Sequence, residues 1–425
     1  MSATQEGLAR REGLADWYAE LPSGGKRTFW ACALGWGLDG FDVQIYGLAL
    51  AAIATTLALT ATQSGWIATA TLFTSAFGGW IAGLLADRIG RVRMLQISVA
   101  WFAVFTFLCG FAQNFGQFFT FRALMGFGFG GEWAAGAVLM GEVIAPRHRG
   151  KAVGAVQGAW AIGWAVAVIA SAALFNSLSP EAAWRTLFML GILPALLIFF
   201  IRRFVEEPPV FKETQQKLAS AGRRSNFLEI FSPSMLRTTV LACVLTTGAQ
   251  CGYYAIATWL PKFLAVERKI TVLGSAGYLG VLIVGSFIGY LTAAYLADRI
   301  GRRANFILFA VGSLVAAVAY TQIPVSNEVM LFLGFPLGFF ASGIFSGMGP
   351  FLTELFPTRV RGSAQGFAYN FGRGVASFSP VAVGAIAGTL QLGSAIGALA
   401  AIGYGLVIIA ALLLPETKGR ELTAQ

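Results

Sequence analysis

Apolar runs of about twenty residues, each long enough to cross a bilayer as a helix, recur along the chain between short polar joints. They fall at residues 28–57, 64–86, 94–112, 118–141, 152–175 and 186–201, and again at 236–264, 273–297, 304–323, 329–353, 363–388 and 394–414. The pattern predicts an all-α integral membrane protein of twelve transmembrane helices, six on each side of one long hydrophilic stretch. That stretch, Arg202 to Arg237, holds Glu206, Glu207, Pro208, Pro209, Lys212, Lys217, Arg223 and Arg224. The expected organisation is a polar segment 1–27, a six-helix bundle 28–201, a linker 202–235, a second six-helix bundle 236–414 and a tail 415–425.

Composition agrees. Of 425 residues, 56% are apolar and 12% charged, whereas a soluble domain has about 25% charged residues. Lipid is therefore the expected solvent. The formal charge of +10 does not point to nucleic acid, because the basic residues sit in short clusters between apolar runs. Alternate joints hold Arg88, Arg91 and Arg93; Arg147, Arg149 and Lys151; Arg299, Arg302 and Arg303; and Arg359 with Arg361, while the intervening joints hold only Arg185, Lys262, Arg268 and Lys269. Lys and Arg in short loops stay cytoplasmic, so both termini and the linker are expected in the cytoplasm of a multi-pass inner-membrane protein. Met1 to Arg27 has no apolar core or small-residue cleavage site of a signal peptide.

Cys32, Cys109, Cys243 and Cys251 lie inside apolar runs without CxxC spacing, which favours packing over disulfides or zinc. The one histidine, His148, lies in a basic joint. No nucleophile–base pair, metal cluster or cofactor motif is present, so an enzyme is not expected.

The two halves repeat. Ala-Asp-Arg-Ile-Gly-Arg stands at 86–91 and again at 297–302, an offset of 211; Glu142 with Arg149-Gly150 is echoed by Glu354 with Arg361-Gly362, an offset of 212. Gly83-Leu84-Leu85-Ala86-Asp87-Arg88-Ile89-Gly90-Arg91-Val92-Arg93, with its second copy Asp298, Arg299, Gly301 and Arg302, resembles the signature loop of the major facilitator superfamily. That resemblance implies a twelve-helix fold of two pseudo-symmetric bundles. It also implies a gating latch formed by Gly83, Asp87, Arg88, Gly90, Arg91 and their repeats, with Glu142, Arg149, Glu354 and Arg361. Asp39-Gly40-Phe41-Asp42 in the first span, Arg122 before Gly126, Gly128, Gly130, Gly131 and Glu132 in the fourth, and Tyr369-Asn370-Phe371-Gly372-Arg373 in the eleventh resemble the sialate and monocarboxylate:proton symporters of the superfamily, and next its aromatic acid:proton symporters. Pro415-Glu416-Thr417-Lys418-Gly419-Arg420 is similar to the tail of sugar porters. The fifth span reads Gly158-Ala159-Trp160-Ala161-Ile162-Gly163-Trp164, without the Gly-Pro pair usual in drug antiporters, which favours uptake over efflux.

Only Asp39, Asp42, Glu132, Arg122 and Arg373 place charge well inside a span. A charge at the bilayer centre costs on the order of 2.5–3.5 kcal/mol, so these five are the functional candidates. At a rise of about 1.5 Å per residue, Asp39 and Asp42 lie roughly 16–21 Å into their helix and Arg373 roughly 15 Å into its own, near the midplane. Asp39 and Asp42 are three residues apart on one face. Two carboxylates so placed in a low dielectric should not both ionise, which makes them, with Glu132, candidates for proton coupling; the alternative is that one pairs permanently with an arginine. Adding 211 to their numbers lands on Gln250 and Tyr253, so acids in one half face polar groups in the other. Arg373 suits bidentate carboxylate binding. Arg122 either joins it or anchors an acid of the first span. Asn370, Gln157, Gln250, Tyr253, Tyr254 and Trp160 are candidate cavity-lining residues. The expected activity is a monomeric, proton-coupled symporter that imports a small organic anion, a monocarboxylate or aromatic acid, with no cofactor or metal; a sugar symporter and an exporter are the alternatives.

Overall fold

The structure is a computed structural model that describes residues 16–220, 226–269, 272–387 and 389–422. Residues 1–15 of the N-terminal segment, Arg223 and Arg224 of the linker, and the last three tail residues lie outside the described part. The spans are α1 Ser23–Thr56, α2 Ala61–Ile89, α3 Arg91–Cys109, α4 Phe115–Val143, α5 Arg149–Ser177, α6 Pro180–Phe204, α7 Leu236–Val266, α8 Val272–Ile300, α9 Arg302–Gln322, α10 Asn327–Leu355, α11 Arg361–Ala376 continued by Ser379–Ile386, and α12 Leu392–Leu413. Twelve spans in two sets of six surround a shared centre, and apolar side chains such as Phe199 (73% exposed), Phe332 (73%) and Ile169 (68%) face outward where lipid would lie.

Eleven spans are long and apolar enough to cross a bilayer. The twelfth, α11, departs from the single run expected at 363–388: it breaks at Ser377 and Phe378 and restarts with Pro380 in its first turn. Proline has no N–H to extend the preceding helix but suits the start of the next.

The helix starts divide largely by face; an exception is α12, which begins on the same face as α2, α4, α6 and α10 without a local side-chain cap and has its Gly393 N–H donating to Glu267 (3.2 Å). Where α2, α4, α6 and α10 begin, a local side chain caps the helix: Thr60 with Gln63, Asn114, Ser179 and Ser326. On the opposite face, which carries both described chain ends, α3, α5, α9 and α11 begin after Gly90, His148, Gly301 and Val360, none of which caps through its side chain. Carboxylates from elsewhere take over. Glu207 accepts from the N–H groups of Arg91 and Val92 (both 2.9 Å), and Glu416 from those of Arg302 (2.9 Å) and Arg303 (3.0 Å). Asp87 at the end of α2 accepts from Gly362 N (3.0 Å), Ser363 N (2.6 Å) and Ser363 Oγ (2.6 Å) at the start of α11, and Asp298 at the end of α8 accepts from Gly150 N (2.9 Å) and Lys151 N (2.7 Å) at the start of α5.

The last two contacts join the halves. They sit where α2 packs on α11 and α8 on α5, at crossings so close that a Cβ on Gly83 would collide with the Gly362 carbonyl and one on Gly154 with Ala294. Glu142 binds Arg91 of its own half (3.1 Å) and Arg361 of the other (2.6 Å); Glu354 binds Arg302 (2.8 Å) and Arg149 (2.9 Å) in the same crosswise way. Arg91 and Arg302 also pair with Asp87 (3.0 Å) and Asp298 (2.6 Å). Gly90 (φ 109°) and Gly301 (φ 97°) supply the left-handed turn that lets each arginine double back. Arg88 and Arg299 stay exposed and take no part in these ion pairs.

Each charge-assisted hydrogen bond of this kind is worth about 1.5–3 kcal/mol. Asp87→Ala should therefore shift the closed–open equilibrium of this face by roughly tenfold or more, seen as a longer distance between spin labels on Arg88 and Arg299. An unchanged distance distribution would show that the latch does not hold the halves. Glu416 adds a pH test. Burial opposes its charge, but four backbone N–H groups donate to it and hold its carboxyl below the ordinary glutamate value. Its stabilisation should be complete above the unfolded value of about 4.3 and fade only as pH falls through the lower folded one, while Glu416→Gln should lose it at every pH. Hydrogen exchange at the start of α9 reads both.

Candidate functional site

Between the halves, at the depth of Arg373, lies a narrow cavity of about 50 Å³. Its wall is mostly aromatic: Trp36 of α1, Phe129 of α4 and Trp160 of α5 face Tyr253 and Tyr254 of α7, Tyr290 of α8, Phe345 of α10 and Tyr369 of α11. Gln157 and Arg373 complete it. Arg373 is 2% exposed, and its guanidinium lies 4.5 Å from the Phe129 ring centre and 5.1 Å from that of Tyr369. Its Nη1 donates to Asn370 Oδ1 (3.3 Å), its Nε has no partner, and no carboxylate pairs with it among the described residues. A buried cation held by ring faces, one amide oxygen and the nearby hydroxyls of Tyr254 and Tyr369 has only neutral partners there and retains a demand for an anion.

The floor is closed. One turn from Arg373 toward the latch face, Tyr369 stacks on Trp133 of α4 with ring centres 3.4 Å apart, and Trp133 Nε1 donates to Gln157 Oε1 (3.1 Å).

The acids behind the first-half wall do not pair as spacing alone implies. Asp42 turns to Arg122 (3.8 Å), which also lies over the rings of Tyr46 (4.9 Å) and Phe188 (5.9 Å). Asp39 instead faces Glu132, within hydrogen-bonding reach, while remaining in electrostatic range of Arg373. Among the described residues neither Asp39 nor Glu132 has a donor partner, so the two carboxyls can bond to one another only by sharing a proton. Glu132 fits against α1 because a Cβ at Gly35 would occupy its Oε1.

Of the candidate cavity residues, Arg373, Gln157, Trp160, Tyr253 and Tyr254 line the cavity. Three do not. Arg122 is engaged by Asp42; Asn370 donates to Gly366 O (3.0 Å) behind Arg373; and Gln250 donates to Tyr369 O (2.8 Å), which fixes the inner part of α11 against α7. Trp36, Phe129, Tyr290, Phe345 and Trp133 were missed, because an aromatic residue in a span ordinarily reads as packing. Tyr369 offered a signal: it precedes Arg373 by four, one helical turn.

A model of the Major Facilitator Superfamily matches residues 32–326 and 280–424. The chain belongs to that superfamily. It is a multi-pass membrane transporter and not an enzyme. A probable 4-methylmuconolactone transporter of Cupriavidus pinatubonensis is 43% identical over 403 residues, 95% of this chain and 93% of that one. A cis,cis-muconate transport protein of Acinetobacter baylyi is 29% identical over 89% of this chain and 92% of its own, and a sialic acid transporter of Escherichia coli 27% identical over 89% and 91%. The major facilitator proton:xylose symporter bound to 6-bromo-6-deoxy-D-glucose superposes with a TM-score of 0.77 at 20% identity, over 94% of this chain and 98% of that one. At that identity the likeness concerns the fold alone.

Removing one partner of a buried ion pair costs about 3–5 kcal/mol, because the other charge is left uncompensated. Asp42→Asn in this transporter should cost that much thermal stability in detergent, and adding Arg122→Gln should recover most of it. A single variant as stable as the parent would mean that the pair is not structural.

Proposed function

We propose that this transporter is a proton-coupled symporter that imports a small organic monoanion across the bacterial inner membrane, with its latch face and both termini in the cytoplasm. Arg373 carries the reading. It is a guanidinium on the cavity wall with no carboxylate partner, ringed by aromatic faces that suit a small conjugated acid. The relatives named for methylmuconolactone, muconate and sialic acid support an acidic cargo. The sugar-porter-like tail does not favour a sugar, because Glu416 is occupied in capping α9.

Coupling follows from shared electrostatics. While the cavity is empty, Arg373 partly compensates the charge of Asp39. A bound carboxylate claims that compensation, and Asp39 with Glu132 then holds a proton more readily. Cargo and proton therefore favour each other's binding. Latch release and rocking of the halves around the occupied site would expose the cavity to the cytoplasm.

Uptake of labelled carboxylates and neutral sugars into vesicles, with and without an imposed pH gradient, tests the reading. A carboxylate should accumulate only with the gradient; accumulation of sugars and of no acid would overturn it. Arg373→Ala should weaken apparent affinity for the best acid roughly 10- to 100-fold, the worth of a charge-assisted buried pair. Glu132→Gln should abolish accumulation and leave counterflow exchange.

A further inference from the structure

A second, small cavity of about 20 Å³ lies inside the first bundle. Its wall comes only from α1, α3, α4 and α5, and it includes Glu132 but neither Arg373 nor any residue of the second half. The cargo cavity holds Arg373 but not Glu132. Trp36 and Gln157 border both. The wall between the two is fixed by Trp133, whose indole is tied to Gln157 and stacked on Tyr369.

The chamber points toward the latch. On α4 its lining steps from Glu132 through Gly136 to Met140, about 12 Å along the axis, and on α5 it descends from Gln157 to Val153, one turn from the start of that helix. Apolar Leu95, Met140 and Val153 close its lower end, while the Glu132 carboxyl and the Gln157 amide give water polar partners inside; the Cys32 thiol already donates to the Gly136 carbonyl (3.5 Å). A water needs about 10–15 Å³ of cavity space and two to four polar partners, so the chamber has room and chemistry for about one water. Both Glu132 oxygens lack a hydrogen-bond partner although the residue is 2% exposed. Asp39 and Cys32, both of α1, lie in electrostatic range of it.

We propose that the proton held by Asp39 and Glu132 leaves through this chamber, passing from the Glu132 carboxyl to water and on toward the latch face, and not through the cavity that carries the cargo. The step breaks the carboxyl O–H bond and leaves Glu132 as a carboxylate, with the proton accepted by the water in the chamber as hydronium. It rests on the proton-coupled reading above. Since all its walls belong to one half, rocking of the two halves changes access to the cargo cavity while the chamber moves as part of one body.

Gly136 provides the test. A Cβ there would meet only Cys32 Sγ and Leu95 Cδ1, each at 3.9 Å, so Gly136→Ala fits without strain and Gly136→Val fills the chamber further. Cys32 reports water access once Cys109, Cys243 and Cys251 are replaced by alanine. In vesicles, methyl methanethiosulfonate applied from the latch side should react with Cys32, more slowly in Gly136→Ala and more slowly still in Gly136→Val. Gradient-driven accumulation should be lost in the same order while counterflow and apparent cargo affinity are retained. Full accumulation in Gly136→Val would overturn the chamber, as would loss of counterflow together with accumulation. If the parent shows no gradient-driven uptake of any acid, the symport reading fails first and this one with it; a proton-driven parent insensitive to both variants would sink the chamber alone.

Discussion

The closure of this transporter on one face is built around a carboxylate at the N-terminus of a helix that lacks a cap of its own. The first N–H groups of a helix need acceptors, and the helix dipole favours an anion there. At α3 and α9 the acceptors, Glu207 and Glu416, belong to the same half and stay in place. At α11 and α5 they are Asp87 and Asp298 of the opposite half. The first pair holds each bundle together; the second exists only while the bundles touch. Opening the face must hydrate two aspartates and two helix starts and also break the crossed Glu142–Arg361 and Glu354–Arg149 pairs. Such buried contacts cannot be stretched by degrees, which is why two discrete states are expected of the molecule.

The latch keeps the symmetry of the repeat, but the centre does not. Asp39 and Asp42 correspond to Gln250 and Tyr253, and moving back 212 residues from Arg373 arrives at Ala161. The acids belong to the first half and the unpaired cation to the second. Gln250, where the first half has an acid, has become a brace for the Tyr369 carbonyl. On the proposed coupling, a centre divided in this way would let one half hold the proton and the other face the anion, with Trp133 on Tyr369 as the joint between them.

Much of this was legible in the chain. Hydropathy marks the spans because lipid imposes their length, and the latch could be read because its glycines and charges recur at a fixed offset. The break in α11 was hidden: Pro380 sits among apolar residues that extend the hydropathy signal past it. The partners of the acids were hidden as well. Three residues along a helix leave two side chains about 60° apart, near enough to suggest that Asp39 and Asp42 interact, yet wide enough for one to meet Glu132 and the other Arg122, which stand about 15 Å apart along α4. Which neighbour each meets depends on how α1 crosses α4, a tertiary matter that no spacing rule contains. The aromatic wall escaped for a different reason, since rings that line a site and rings that fill a core have the same sequence signature.

A charge count links the site to the membrane it works in. Asp42 and Arg122 cancel. On the proposed coupling, Asp39 and Glu132 share one proton in the empty carrier, and their single remaining negative charge offsets Arg373, so the core is neutral. Loading one monoanion and one further proton leaves it neutral again. Both forms can then change state without carrying net charge through a low dielectric, where an uncompensated ion is costly. An anion loaded alone would leave the core at minus one, and a proton alone would leave it at plus one. The same electrostatics that would bind the cargo would thus penalise each half-loaded form, and coupling would require no separate gate that senses the proton.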